Sequence, residues 1–341
     1  MVGRVAPGPP SHFGRFKMAS NLNPGSPAAL PLPGQAVDAP PPARRKERKY
    51  KRDEMIMGYL FVFVPMLIFM TFSFGAMVFD FWVSFYHWAI LDSPRFVGSA
   101  NFNYLWHVDP VWPKAIFNTI EYAVIVVPLQ TLIAFTLALI VNQNIRGRAF
   151  FRTTFYFPSV TSSVAISLIF LFLFNNFGLI NYAIGLLPGH PQGPNYLGDS
   201  RYALKSIMGL NIWTTTGTLM VIFLASLQDV PREVLEAAAI DGATGVKAVT
   251  RIVVPLIRPA IFFVVANGLI GCLQIFDQAF ILSGGSGGPE YATTTAVLYI
   301  YNNAFKNGYY GVAAAASFML FAFIFVATLL VRRFIEGKEA R

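Results

Sequence analysis

Residues 55–79 read MIMGYLFVFVPMLIFMTFSFGAMVF and contain no charged side chain. A helix needs about 20 predominantly apolar residues to cross the hydrocarbon core of a bilayer, since each residue advances it by about 1.5 Å. Five further segments meet this length: residues 117–141, 154–174, 207–227, 261–282 and 311–331. The pattern predicts an all-α polytopic membrane protein with six transmembrane helices in residues 55–341.

The composition supports a membrane protein and excludes several other classes. Of 341 residues 55% are hydrophobic and 13% are charged, which is unusual for a soluble domain. The net charge of +9 lies between apolar segments rather than on one folded face, so we expect no nucleic-acid partner. The one cysteine, Cys272, can form no internal disulfide, and no two histidines have metal-site spacing. We expect no metal and no cofactor in this chain.

Residues 1–54 are predicted to form a disordered tail that ends in a basic juxtamembrane segment. Up to residue 42 the tail is rich in Pro, Gly, Ala and Ser, a composition typical of disorder, and Met18 is an alternative start. The first apolar run begins near Met55, which argues against a cleaved signal peptide. Residues 44–52 are strongly basic, and we expect them to interact with anionic lipid headgroups.

The distribution of Lys and Arg predicts the orientation, because cytoplasmic loops hold an excess of these residues. One set of loops carries most of them: the basic tail, Arg146, Arg148, Arg152, Arg232, Lys247, Arg251, Arg258, Arg332, Arg333, Lys338 and Arg341. The other set carries only Arg95, Lys114, Arg201, Lys205 and Lys306. We therefore expect both termini in the cytoplasm and a multi-pass protein of the plasma (inner) membrane.

The loop between the fourth and fifth spans has the sequence DVPREVLEAAAIDGATGVKAVTRIVVP over residues 229–255. It predicts two short helices joined by a turn. Asp229 is expected to cap the first helix, and Gly242 to end it in the left-handed conformation. Thr244 is expected to cap the second helix, which should stop before Pro255. Three successive alanines leave a narrow surface that another protein can approach closely, so the element is interpreted as a docking surface.

Residues 229–260 resemble the EAA loop of binding-protein-dependent ABC importers. The matching positions are Glu236, Ala237, Ala238, Gly242, Ile252 and Pro255, whereas Val254 and Val249 replace the usual Leu and Phe. Shorter motifs match in order along the chain, including Phe151-Arg152, Gly287-Gly288-Pro289 and Tyr310-Gly311. The chain is similar to the MalF-type permeases of carbohydrate importers.

The resemblance implies a type I importer permease fold, with Glu236, Ala237, Ala238, Asp241 and Gly242 contacting an ATPase. It also implies a second permease subunit in a heterodimer, two cytoplasmic ATPase subunits that bind ATP and Mg, and an extracytoplasmic solute-binding protein. This sequence contains no phosphate-binding loop of its own, so it is expected to be a transport subunit and not an enzyme.

Polar residues within the predicted spans are candidates for solute contact, because they are costly in lipid. On the fifth span Asn267, Gln274 and Asp277 fall within an arc of about 80° on a continuous helix. On the fourth, Asn211 and Thr215 share a face beside Trp213. The resemblance implies that Gln274 and Asp277 line a sugar cavity. The alternatives are hydrogen bonding between helices for the threonines and a lipid-interface anchor for Trp213.

The expected function is therefore import of a sugar or oligosaccharide by alternating access. Glycerol phosphate or another small polar solute is an alternative cargo, although no Lys or Arg lies in the cores of the six spans. An ion-coupled secondary transporter is a remote alternative, since only Glu121 and Asp277 are acidic within the spans. A membrane-embedded enzyme would need a clustered base, nucleophile or metal set, and none is visible.

Overall fold

The computed structural model describes residues 44–143, 146–186 and 193–336 and is predominantly helical there. Its helices are α1 (Arg44–Ile68), α2 (Gly75–Val83), α3 (Ala100–His107), α4 (Val111–Asn142), α5 (Arg148–Val160), α6 (Ser163–Leu173), α7 (Leu179–Gly185), α8 (Ala203–Gln228), α9 (Arg232–Ile240), α10 (Val246–Ala248), α11 (Val254–Leu256), α12 (Arg258–Leu273), α13 (Asp277–Leu282), α14 (Ala296–Tyr301) and α15 (Tyr310–Glu336). Three π-helical segments join successive helices: Phe69–Phe74, Val249–Val253 and Asn302–Lys306. Strands β1 (Tyr86–His87) and β2 (Arg95–Phe96) pair antiparallel, with Tyr86 opposite Phe96.

Five helical segments of the described chain are long and apolar enough to cross a membrane. They are Asp53–Val83, Val111–Asn142, Ala203–Gln228, Arg258–Leu282 and Tyr310–Ile335. A sixth crossing is present if α5 and α6 together form one span. The helical membrane class is confirmed, and the number of spans is five or six.

The prediction of one continuous helix over residues 154–174 is wrong, although the two helices found there can form one span. The chain forms α5 and α6, whose axes meet at 93°. Thr161 and Ser162 leave the helical conformation, with ψ values of 147° and 127°. At the bend, the Thr161 hydroxyl donates to the Phe157 carbonyl at 3.1 Å, and just before it the Ser159 hydroxyl ties α5 to α8 by donating to the Thr214 carbonyl at 2.6 Å.

The first compact unit of the chain ends at Pro65, within α1. The prediction of a tail without structure through residue 54 is wrong for residues 44–54, which are helical. Lys, Arg and Glu are good helix formers, and these residues extend a helix that the apolar span has already nucleated. The apolar side chains from Met55 to Val64 are exposed. Residues 1–43, the rest of the predicted tail, lie outside the described chain.

The second unit contains the core, in which α4 packs against α8 and α12. Clusters of buried apolar residues fill the spaces between these helices, around Tyr122, Met220 and Leu273 among others. Helix α5 packs closely on α8, because a Cβ at Gly217 would lie 2.3 Å from the Phe155 carbonyl oxygen. Glycine permits this approach of two backbones.

Buried polar side chains fix the loop between α13 and α14 to α4. The Asn118 amide donates to the carbonyls of Tyr291 and Thr294 at 2.8 and 2.9 Å. The Thr119 hydroxyl accepts from the backbone N–H of Ala296 at 2.9 Å. These side-chain hydrogen bonds pair buried backbone groups that have no partner in a helix or sheet. The loop is therefore a fixed part of the core.

Candidate functional site

The fifth predicted span is interrupted where the sequence places its polar residues. Helix α12 ends at Leu273, Gln274 follows with φ −107° and ψ 18°, and α13 begins at Asp277. The carbonyl of Ile275, within the break, accepts a hydrogen bond from the Thr295 hydroxyl at 2.9 Å. The prediction that Asn267, Gln274 and Asp277 lie on one continuous helix is therefore wrong, because a residue distant in sequence stabilises the break.

Asn267 and Gln274 nevertheless share one side of α12. The exposed residues at positions 263, 267, 270, 271 and 274 recur at helical spacing, whereas Val264, Gly268 and Cys272 are buried. Asn267, Gln274 and Asp277 are all exposed, and none of their side chains has a hydrogen-bond partner within the described chain. An apolar span thus presents unpaired amides outward, which is costly against lipid and acceptable against a wet path or another subunit.

Gln130 of α4 is a polar residue of the core that the sequence analysis missed. Its side chain is 1% exposed. Its oxygen accepts a hydrogen bond from the Thr215 hydroxyl of α8 at 2.7 Å, and its amide nitrogen lies 3.9 Å from Cys272 Sγ of α12. A Cβ at Gly268 would lie 2.6 Å from that nitrogen. An amide inside an apolar span is the signal that identifies it.

The three residues of α8 that were candidates for solute contact lie in different environments. Thr215 faces Gln130 and also donates to the Asn211 carbonyl at 2.8 Å, so it belongs to the contacts between helices. Asn211 is 9% exposed, and its side-chain oxygen has no partner in the described chain. Trp213 is 50% exposed and packs on Phe170 at 5.5 Å between ring centroids. The structure therefore does not bring Trp213 and Thr215 together.

Helix α9 ends in a turn that its sequence predicts. The N–H of Ala243 donates to the Ala238 carbonyl at 2.8 Å, and that of Gly242 donates to the Ala239 carbonyl at 3.1 Å. Gly242 has φ +76°, the left-handed conformation that ends helices. The predicted caps differ: Pro231 and Gly245 occupy the cap positions instead of Asp229 and Thr244. Helical structure also continues through Pro255, because proline is tolerated in the first turn of α11.

The coupling segment, residues 232–256, offers an unoccupied surface. Glu236, Ala237 and Asp241 are exposed, whereas Ala238 is buried. Large apolar side chains are exposed beside them, with Ile240 at 87% and Val246 at 79%. The Glu236 carboxylate has no partner in the described chain. Exposed apolar groups next to an unpaired carboxylate are typical of a protein-binding surface.

A cavity of about 930 Å³ lies between α3, the loop after α13 and the π-helical segment Asn302–Lys306. Lys306 Nζ donates to the Gly285 carbonyl at 2.6 Å, and the Tyr299 hydroxyl donates to Asp109. The side-chain oxygen of Asn302 is buried there and has no hydrogen-bond partner among the described residues. No sequence pattern predicts a site here, because segments far apart in the chain supply the lining.

Comparison with known proteins gives consistent results. The family described as "Binding-protein-dependent transport system inner membrane component" matches residues 130–338. The lactose transport system permease protein LacF of Rhizobium radiobacter is 34% identical over 72% of this chain and 83% of its own. The sn-glycerol-3-phosphate transport system permease protein UgpA of Escherichia coli O6:K15:H31 is 32% identical over 72% and 82%. The crystal structure of a bacterial ABC transporter involved in alginate import contains a chain with the same fold (TM-score 0.73, 22% identity). That match covers 86% of this chain and 99% of the other.

Proposed function

Because this chain belongs to the family of binding-protein-dependent transport system inner membrane components, we propose that it lines the path of a carbohydrate across the membrane. The observation that carries the proposal is the outward face of α12, where Asn267 and Gln274 are exposed and unpaired within an apolar span. A second permease subunit facing this surface encloses a polar path between the two chains.

The chemistry of this face suits a sugar. Amide side chains donate and accept hydrogen bonds, as sugar hydroxyls do, and the Asp277 carboxylate accepts two hydroxyls. The face has no cationic group on α12 between Phe263 and Leu273, so it offers no charge complement to a phosphate. The lactose permease relative agrees with a neutral cargo, whereas the glycerol phosphate permease relative keeps a phosphate ester as the second candidate.

Energy enters through the coupling segment. Its exposed apolar side chains and the unpaired Glu236 fit a groove on a cytoplasmic ATPase, and the turn at Gly242 fixes the angle between its two helical parts. We propose that the complex contains two such ATPases, one for each permease of a heterodimer. They bind ATP and Mg and close together when ATP is bound. Their closure biases the permease pair between inward-open and outward-open packings.

The orientation that fits this scheme has the coupling segment and both termini in the cytoplasm. The cavity at Asn302 and Lys306 then faces outward, where a solute-binding protein delivers its cargo. The clustering of Arg232, Lys247, Arg251 and Arg258 in and around the coupling segment supports this orientation.

Transport by the purified complex in proteoliposomes tests the cargo path. The complex, its binding protein and ATP are supplied with labelled lactose, other mono- and disaccharides, or glycerol 3-phosphate. We expect uptake of a sugar, and Gln274→Leu should lower it about tenfold, since an unpaired hydroxyl costs about 1–3 kcal/mol. The control Gln143→Leu removes an exposed amide at the end of α4, outside this face, and should leave uptake unchanged.

Two outcomes would contradict the proposal. Uptake at the normal rate and affinity in Gln274→Leu, Asn267→Leu and Asp277→Leu alike would place the path on another face. Uptake of glycerol 3-phosphate alone would assign the cargo to the second candidate. Purification from the native membrane provides the partner test, because an ATPase and a second permease should copurify with the chain.

A further inference from the structure

Two arginines of α5 converge on one acceptor of α8. Arg148 and Arg152 lie one turn apart and therefore on the same side of α5. The Gln228 side-chain oxygen faces the two arginines in the amide orientation that satisfies their N–H donors. It then accepts hydrogen bonds from Nη2 of Arg152 at 2.9 Å and from Nη2 of Arg148 at 3.0 Å. The two guanidinium groups thus meet at a single neutral oxygen.

This pair has no anionic partner in the described chain. No carboxylate forms an ion pair with either arginine, although Asp229 directly follows Gln228 in sequence. The Nε atoms of both residues are buried without a hydrogen-bond acceptor. Two like charges held close together, each partly removed from water, repel one another unless an anion lies between or beside them.

The orientation of the chain in the membrane does not by itself explain why Arg148 and Arg152 converge on Gln228. A cytoplasmic excess of Arg and Lys requires only that the charges lie in the loop. Arg146, two residues before α5, meets that requirement as an exposed side chain with no bond to Gln228. The convergence of Arg148 and Arg152 is a separate feature, and it is built by the packing of α5 along α8.

We propose that Arg148 and Arg152 bind the phosphate group of an anionic phospholipid. Guanidinium forks match phosphate oxygens in geometry and charge, and free N–H groups of the first turn of α5 add a favourable dipole. The neighbouring side chains favour a lipid over a free ion, because Phe151, three residues after Arg148, and Tyr156, four residues after Arg152, are 41% and 39% exposed on the same side of α5. Acyl chains provide an apolar partner for the exposed parts of these rings.

The site also lies next to the coupling segment. Gln228 is the last residue of α8, and α9 begins at Arg232, four residues later. A phosphate that neutralises the arginine pair holds the end of α8 against α5, and so fixes the point from which α9 projects. The bound lipid therefore acts as a cofactor of coupling between ATP hydrolysis and transport.

The test uses the whole complex in nanodiscs of phosphatidylcholine with or without phosphatidylglycerol. We expect phosphatidylglycerol to increase the ATPase activity stimulated by the binding protein, and native mass spectrometry to detect it on the complex. Arg148→Gln/Arg152→Gln should lose both effects. The control Arg146→Gln removes a nearby cation and should keep both.

Other outcomes overturn the proposal. Equal lipid retention and stimulation in the double variant and Arg146→Gln would show that the pair does not bind the lipid. Equal stimulation by inorganic phosphate in phosphatidylcholine discs would assign the site to a free anion. If the double variant fails to assemble, Arg152→Lys replaces it. That variant keeps the charge but loses the fork, so it should bind phosphatidylglycerol more weakly than Arg146→Gln does, and equal binding would refute the site.

Discussion

At the scale of single residues, Gln130 determines how three helices meet. Its amide fills the space left by Gly268 and bonds Thr215, so α4, α8 and α12 share one polar contact inside an apolar core. The outward amides of α12 have no such partner. The same residue type thus serves packing where it is enclosed and, in the proposed function, solute contact where it is open.

We expect Gln130→Leu to destabilise the complex by about 1 kcal/mol, the usual size of a hydrogen bond between membrane helices. The loss is moderate because Thr215 keeps its bond to the Asn211 carbonyl. Thermal unfolding of Gln130→Leu, Thr215→Val and the double variant measures the coupling. Thr136→Val is the control, since Thr136 bonds only the Leu132 carbonyl of its own helix. Additive effects of the two substitutions would contradict the contact.

At the scale of elements, the turn at Gly242 sets the geometry of the coupling segment. A side chain at φ +76° costs about 1–2 kcal/mol. Proline cannot adopt that angle and also lacks the N–H that bonds the Ala239 carbonyl. Gly242→Pro should abolish transport and stimulated ATP hydrolysis while the complex still inserts, and Gly242→Ala should be milder. The control is Gly209→Ala, where a Cβ meets no atom. Normal stimulated hydrolysis in Gly242→Pro would refute the assignment.

Some helices and turns could be predicted from the sequence, and others could not. Apolar length predicted the segments that cross the membrane, and the pattern around Gly242 predicted the turn, because both depend on nearby residues. The breaks at residues 161–162 and 274–276 were not predicted, because Thr214 and Thr295 pair with the interrupted segments across the fold. The helical spacing of Asn267 and Gln274 predicted that they share a face, and both are exposed on one side of α12. The enclosed position of Thr215 depended on Gln130, a contact between helices far apart in sequence.

At the scale of the whole molecule, the proposed orientation can be measured directly. In a Cys272→Ala background, Ile240→Cys should react with a membrane-impermeant maleimide only from the cytoplasmic side, and Leu91→Cys only from outside. Both positions are suitable, since their side chains are 87% and 94% exposed. Labelling of intact cells reports accessibility from outside, and labelling of inverted vesicles reports accessibility from the cytoplasmic side. Reaction of position 240 in intact cells would contradict the orientation.

No side chain from Asp53 to Trp82 is buried within the described chain, and α12 turns two amides outward. In the proposed heterodimer the second permease covers these surfaces, so a newly made copy that finds no partner exposes them to lipid. We expect proteases that remove unassembled membrane proteins to degrade such a copy. We therefore expect the abundance of this protein to follow the synthesis of its partner, so that expression of this chain alone gives less intact protein than co-expression with the second permease.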